Sequence, residues 1–295
     1  MTLRRDSRGP VGLFGAVMRL PGDSRVQRGR PFGVAMSFRR GARVPLTLLA
    51  GAMILAGVNG CGSSQASEVE ASPKTITVFA AASLTEPFTL LGKQFESANP
   101  GTKVNFSFGP SSGLAVQITS GAPADVFAAA SSATMQQVVQ AGAARNPLTF
   151  ARNSMAVAVP PGNPARIEAL EDLVRPGVKV AVCQAQVPCG STAAQVLANA
   201  KITVNPATYE ADVKGVLSKV ELGEVDAGIV YVTDVRTAGP KVSGIKVAEA
   251  VNATTIYPIA AITSSHQSAL AQSFVLFVGS SAGQIALSDA GFAKP

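Results

Sequence analysis

The stretch Ile76-Thr77-Val78-Phe79-Ala80-Ala81-Ala82-Ser83-Leu84-Thr85-Glu86 decides the fold class. Ile76, Val78 and Ala80 alternate as in a strand. From Leu84 the period changes, because Leu84, Phe88, Leu91 and Phe95 recur at helical spacing. A small serine turn at Ala82-Ser83 joins the two patterns. The same grammar returns downstream. Val104, Phe106 and Phe108 alternate, Gly109-Pro110-Ser111-Ser112-Gly113 turns, and Leu114, Gln117 and Ile118 open another helix. A short strand at Asp125-Val126-Phe127 and a helix over 131–142 complete the first set.

A second set starts at Ser154, with strand patterns at Met155–Val159, Val178–Val182 and Ala227–Tyr231. Helices are expected over 167–174, 190–200 and 211–222. Strands over 245–248 and 255–263 and helices over about 266–278 and 281–290 close the chain. Strands alternating with helices predict an α/β protein with mostly parallel sheets. Two such sets predict two lobes, each a sheet flanked by helices. Ligands of such sheets sit beyond the carboxyl ends of the strands. Both serine turns lie at such ends, as do the loops around Cys189 and Val213.

The formal net charge of +7 on 295 residues suggests a polyanionic partner. Its distribution removes that reading. Residues 1–60 carry a net +8 and residues 61–295 a net −1, so the body is nearly neutral and no nucleic-acid partner is expected. The basic excess belongs to an export leader. Arg39, Arg40 and Arg43 precede an apolar run, Val44 to Val58, that is short for a membrane span. Residues 1–60 are therefore expected to be a signal peptide, with Met36 opening a leader of ordinary length and residues 1–35 an over-extended start. Val58-Asn59-Gly60-Cys61 resembles the bacterial lipobox, which implies cleavage before Cys61 and lipidation of its thiol. Residues 61–73 are then a small, polar, lipidated tether, and the protein is extracytoplasmic and anchored to the cell membrane.

With Cys61 assigned to lipid, Cys183 and Cys189 remain of the three cysteines. In an oxidising compartment two nearby thiols tend to pair, so a Cys183–Cys189 disulfide is expected, the alternative being two buried thiols. No G-x-S-x-G, P-loop or glycine-rich dinucleotide loop is present, and the Cys183/Cys189 spacing lacks the partners of a zinc site. A single histidine, His266, leaves little for acid–base chemistry. The chain is read as a non-enzyme without a cofactor.

What the loops do offer is hydrogen-bond donors. A helix start exposes about four unpaired N–H groups and about half a positive charge. Several converging starts can hold an oxyanion without Lys or Arg. Ser83, Ser111, Ser112, the backbone around Cys189 and the helix start near Val213 are the candidate donors, and Tyr231 ends an apolar strand nearby. The competing interpretation is plain capping: Ser83-Leu84-Thr85-Glu86 fits the S-x-x-E box. For Tyr231 it is a core tyrosine with a buried partner. Lys214 and Arg236 read as solvated, Asp212 as a helix-start charge.

Three blocks then carry a family resemblance: Val78 to Leu84, Gly113 to Ile118, and Gly121-Ala122-Pro123-Ala124-Asp125-Val126-Phe127. Val187-Pro188-Cys189-Gly190, Asp212-Val213-Lys214-Gly215 and Gly228-Ile229-Val230-Tyr231 follow in the same order. Together, over roughly 74–295, they resemble the periplasmic molybdate-binding proteins of ABC importers. The resemblance implies a two-lobed periplasmic-binding-protein fold, type II-like, with residues 74–152 plus 256–295 as one lobe and 153–255 as the other. It implies an oxyanion site made of Ser83, Ser111 with Ser112 adjacent, Cys189, Val213 and Tyr231. Cys189 departs from the pattern, since a small residue such as alanine is common there. Implied too are molybdate or tungstate as ligand, an ABC permease as partner and a monomer. Molybdate is a dianion that only accepts hydrogen bonds, so neutral donors suit it, and cavity size would have to exclude sulfate. Two rivals stand beside this reading: the same fold binding another tetrahedral oxyanion such as sulfate, and an exported thiol enzyme using Cys189.

Overall fold

The computed structural model describes residues 74–295. The leader, the lipidation at Cys61 and the tether over 61–73 lie outside the described residues. The chain begins with β1 (Lys74–Ala81), α1 (Thr85–Ala98), β2 (Thr102–Gly109), α2 (Ser111–Thr119), β3 (Val126–Ala128) and α3 (Ser132–Gln140). It continues with β4 (Leu148–Val159), β5 (Val180–Cys183), α4 (Pro188–Ala200), β6 (Thr208–Glu210), α5 (Val213–Glu221) and β7 (Ala227–Tyr231). It ends with α6 (Val232–Ala238), β8 (Ser243–Lys246), β9 (Thr254–Ala261), α7 (Ser268–Gly279) and α8 (Ser281–Asp289).

The strands run in the order β2-β1-β3-β9-β4-β7-β5-β6, with β8 on β4. Both ends of this order are parallel: β1 with β2 and β3, β5 with β6 and β7. The middle is antiparallel, because β9 runs against β3 and β4, and β4 against β7 and β8. The sheet is therefore mixed, and the departure from parallel pairing is confined to the strands that join its two halves. β4 does most of this joining. Its residues Leu148 to Ser154 pair with β9, and from Met155 to Ala158 it pairs with β7.

Burial on both faces explains why β1 is wholly apolar from Val78 to Ala81. Ile76, Val78 and Ala80 enter one core with Phe88, Leu91 and Phe95 of α1 and Phe274 of α7. Phe79 points the other way, into a core with Leu114 and Ile118 of α2 and Met135 and Val138 of α3. A strand covered by helices on both faces keeps no polar side. Edge-on rings tighten the first core, with Phe95 and Phe274 centroids 5.2 Å apart. A third core gathers β5, β7 and the second half of β4 beneath α4 and α5, through Val157, Val180, Val196, Val216 and Ile229.

One expectation needs correction and two elements carry no sequence pattern. Residues 167–174 do not form an α-helix; only Leu170–Val174 winds, as a 3-10 turn. β6, Thr208–Glu210, pairs with β5 over too few residues to show a period. α6 was missed because Val232, Thr233, Val235 and Thr237 are β-branched and lower helix propensity. Its start is fixed instead by Asp234, whose Oδ2 accepts the Tyr231 N–H at 3.0 Å.

Two glycines are demanded by close approach. At Gly190 an added Cβ would lie 1.9 Å from the Gln184 carbonyl oxygen, so only glycine lets α4 start against the end of β5. At Gly228 it would lie 2.6 Å from Val216 Cγ1 and 2.9 Å from Val220 Cγ2, so α5 rests directly on the β7 backbone. Gly228→Ala should therefore overpack the third core and cost about 1–3 kcal/mol. Thermal denaturation should show a melting point lower by about 2–4 °C for each kcal/mol. An unchanged midpoint would mean that α5 can shift away freely.

Candidate anion-binding site

The carboxyl ends of the central strands and the starts of the following helices line one small cavity. Ala81, Ala82 and Ser83 reach it from the end of β1, Ser111 from the start of α2 and Ala130 from beyond β3. Cys189 of α4, Val213 of α5 and Tyr231 at the end of β7 close it from the opposite side. The cavity measures about 20 Å³. That exceeds the ~10–15 Å³ needed by one water. It is an order of magnitude below the ~300–1,000 Å³ of pockets for drug-sized organic molecules. In this conformation the site suits a compact guest and excludes a sugar, a peptide or a nucleotide.

The structure brings together five of the six residues expected at an oxyanion site: Ser83, Ser111, Cys189, Val213 and Tyr231. Ser112 is half-buried and does not line the cavity. The serines are not caps. The S-x-x-E box expected at Ser83 to Glu86 does not form. A 3-10 turn, Ala82–Leu84, precedes α1, and Leu84 stands at its N-cap without a side-chain bond. Ser83 Oγ instead lies 2.8 Å from Tyr257 Oη. Ser111 is already inside α2, whose N-cap is Pro110, and its Oγ accepts the Ala130 N–H at 3.0 Å. Accepting that bond leaves the Ser111 proton free to be donated.

Tyr231 is the most telling member. It is 1% exposed, and its hydroxyl has no well-formed hydrogen bond among the described residues, although the Thr192 and Tyr257 hydroxyls lie near it. Buried hydroxyls are nearly always paired, and an orphan one calls for an explanation. Burial pushes the phenol well above its ordinary range, helped by neighbouring Tyr257 and Asp234. The group is thus a neutral O–H donor at the cavity wall. Tyr257, behind Ser83, is raised by burial in the same way.

Backbone donors complete the wall. The first-turn N–H groups of Ser111, Cys189 and Val213 have no acceptor among the described residues. Cys189 is fixed by a disulfide to Cys183, with Cα atoms 5.8 Å apart, which ties the first turn of α4 to the end of β5. The same bond removes the thiol on which an enzyme reading of Cys189 depended. No Lys, Arg or His lines the cavity. Its one charged lining residue, Asp212, spends its carboxylate on the α5 cap, accepting the Lys214 and Gly215 N–H groups at 2.9 and 3.1 Å. Among the described residues, no cluster of His, Cys, Asp or Glu could hold a metal ion.

Sequence reasoning missed the groups behind the wall. Asp234 is buried, and burial raises its pKa to about 6 against the opposing pull of Lys214. Its Oδ1 lies 3.4 Å from Lys214 Nζ, inside ion-pair range, yet without hydrogen-bond geometry. Lys214, expected to be solvated, also reaches both carboxylate oxygens of Glu86 at 2.9 Å. Local pattern held no signal for these contacts, because Glu86 and Lys214 are 128 residues apart.

Comparison with known proteins agrees with this architecture. A family model described as bacterial extracellular solute-binding protein matches residues 76–293. The molybdate-binding protein ModA of Mycobacterium tuberculosis (strain H37Rv) is 44% identical over 254 residues, which cover 84% of this chain and 97% of the relative. ModA of Escherichia coli (strain K12) is 34% identical over 248 residues, covering 79% and 91%. Among solved structures, the Azotobacter vinelandii periplasmic molybdate-binding protein aligns with a TM-score of 0.68 at 21% identity, over 75% of this chain and 99% of that one. The sulfate-binding protein SubI from Mycobacterium tuberculosis H37Rv aligns with a TM-score of 0.68 at 19% identity, over 75% and 87%. These two likenesses give the two-lobed periplasmic-binding-protein fold and, being equal, leave ligand choice to the site. The chain belongs to the bacterial extracellular solute-binding proteins, with the ModA proteins among its relatives.

Proposed function

We propose that this protein captures molybdate outside the cytoplasm and delivers it to an ABC permease. The observation that carries the reading is the buried, unpartnered Tyr231 hydroxyl at the wall of a small cavity with no cationic side chain. Such a wall offers neutral donors to a guest that only accepts. Ser83, Ser111 and Tyr231 would give O–H groups, and Cys189 and Val213 backbone N–H groups. Ser112 is set aside as a ligand residue. Likeness to the ModA proteins at up to 44% identity favours molybdate over sulfate, and tungstate, of the same shape and charge, should enter as well.

The donors divide between two lobes, read as 74–152 plus 256–295 and 153–255. The change of partner along β4 at Ser154/Met155 supports that division. Closure of one lobe on the other would then complete the shell. An export leader and lipid at Cys61 would keep the protein at the outer face of the membrane, as a monomer presenting its closed form to the permease.

Two experiments test the reading. Titration calorimetry and thermal shift on the protein from Cys61 onward should show strong binding and stabilisation by molybdate and tungstate, and far weaker effects of sulfate and phosphate. Sulfate binding as tightly as molybdate would overturn the choice of ligand. Tyr231→Phe should weaken molybdate binding by about 1–3 kcal/mol through the lost donor. The same variant should not lower the melting point of the ligand-free protein, because the hydroxyl has no partner there to lose. A core tyrosine of purely structural role would show the reverse pattern.

A further inference from the structure

We propose that Lys214 is a positioning residue for anion capture, an ionic latch that Glu86 engages when the two bodies close over the cavity. This inference rests on the anion-capture reading above. Glu86 lies in the first turn of α1, whose Phe88, Leu91 and Phe95 belong to the first core. Lys214 lies in the first turn of α5, whose Val213, Val216 and Val220 belong to the third. Lys214 Nζ donates to Glu86 Oε1 and Oε2, each at 2.9 Å, and so ties two separately packed bodies together.

The latch sits directly on the site. Ser83 stands three residues before Glu86, Val213 immediately before Lys214, and Tyr231 three residues before Asp234. All three of these neighbours line the cavity. Asp234 also holds the Tyr231 backbone N–H through Oδ2. Pulling Glu86 and Lys214 together thus brings the Ser83 side of the cavity against the Val213 and Tyr231 side.

Two carboxylates compete for one ammonium. Two of the three Lys214 N–H donors go to Glu86, and the buried Asp234 Oδ1 lies 3.4 Å from Nζ without a hydrogen bond. When the bodies part, Glu86 moves into water, where a carboxylate is well solvated. Lys214 can then complete the bond to Asp234, which stays in the same body. Opening therefore gives up two ionic hydrogen bonds to Glu86 and gains one to Asp234, so part of the loss is recovered. Such an exchange keeps the closed form favoured yet releasable. Apparent affinity scales with the fraction of closed protein, so the latch bears on binding without touching the anion.

The side chains of Lys214 and Glu86 are 24% and 48% exposed, so salt should screen the pair. The test is stopped-flow binding of molybdate to wild type, Glu86→Gln, Lys214→Gln and the double variant. Glu86→Gln should speed dissociation about two- to fivefold at low ionic strength. Association should hardly change, and the melting point of the ligand-free protein should stay. At about 1 M salt, with a screening length of about 3 Å, wild type should approach the variant. In the Lys214→Gln background the Glu86 substitution should add nothing. A Glu86→Gln protein with the wild-type dissociation rate overturns the latch and leaves the molybdate reading intact. So does equal acceleration with and without Lys214. Failure of wild type to bind molybdate overturns the ligand reading instead. The latch is then judged by small-angle scattering of ligand-free protein, where Glu86→Gln should have the larger radius of gyration at low salt. An equal radius would sink it.

Discussion

The antiparallel pairing of β4 with β9 is the contact on which the rest of the structure depends. Register from Leu148 opposite Ile259 to Ser154 opposite Thr254 makes the two linking strands neighbours, not separate tethers. Each strand then enters a different set of partners, β9 toward β3 and β4 toward β7 and β8. Side chains reinforce the junction. Asn153 Nδ2 donates to Thr233 Oγ1 at 2.8 Å, and Asn252 grips Met155 through both its N–H and its carbonyl. Because every helix start at the cavity hangs from strands aligned by this pair, the converging donors follow from the register.

That convergence substitutes geometry for charge. A lysine in the wall would attract any anion, and it would also pay for its own burial when the site is empty. Backbone amides carry no such penalty beyond their lost hydration, and the helices that hold them are fixed by packing. Selectivity must then arise from the distances between donors, which rigid elements set well. The disulfide at Cys189 and the close backbone approach at Gly190 fix the start of α4 against the end of β5.

Much of this was readable along the chain, and what was not has physical reasons. The strand-turn-helix units were visible at Ile76 to Phe95 and Val104 to Ile118 because the apolar period changes from two to about 3.6 at each serine turn. Five of the six expected wall residues meet, since each sits at the end of a local unit whose direction the fold class already prescribes. The failures cluster where distant partners outbid local ones. Ser83 and Glu86 match a capping box, yet Tyr257, 174 residues from Ser83, takes the hydroxyl and Lys214 takes the carboxylate. Leu148 to Asn153 lacks a clean alternation, so the half of β4 that pairs with β9 carries no strand pattern. Asp234 gave no sign of burial, because nothing in Val232 to Ala238 distinguishes a covered helix from an exposed one.

The small cavity has one more consequence, for the encounter itself. Docking of two proteins is slow relative to diffusion because only a few mutual orientations succeed. A guest with four equivalent oxygens escapes that restriction, since turning it onto another vertex reproduces the same set of acceptors. Donors spread around the wall, and not gathered on one side, let the cavity accept each of those equivalent arrivals. For the tetrahedral guest proposed above, orientation on arrival would set no limit on capture.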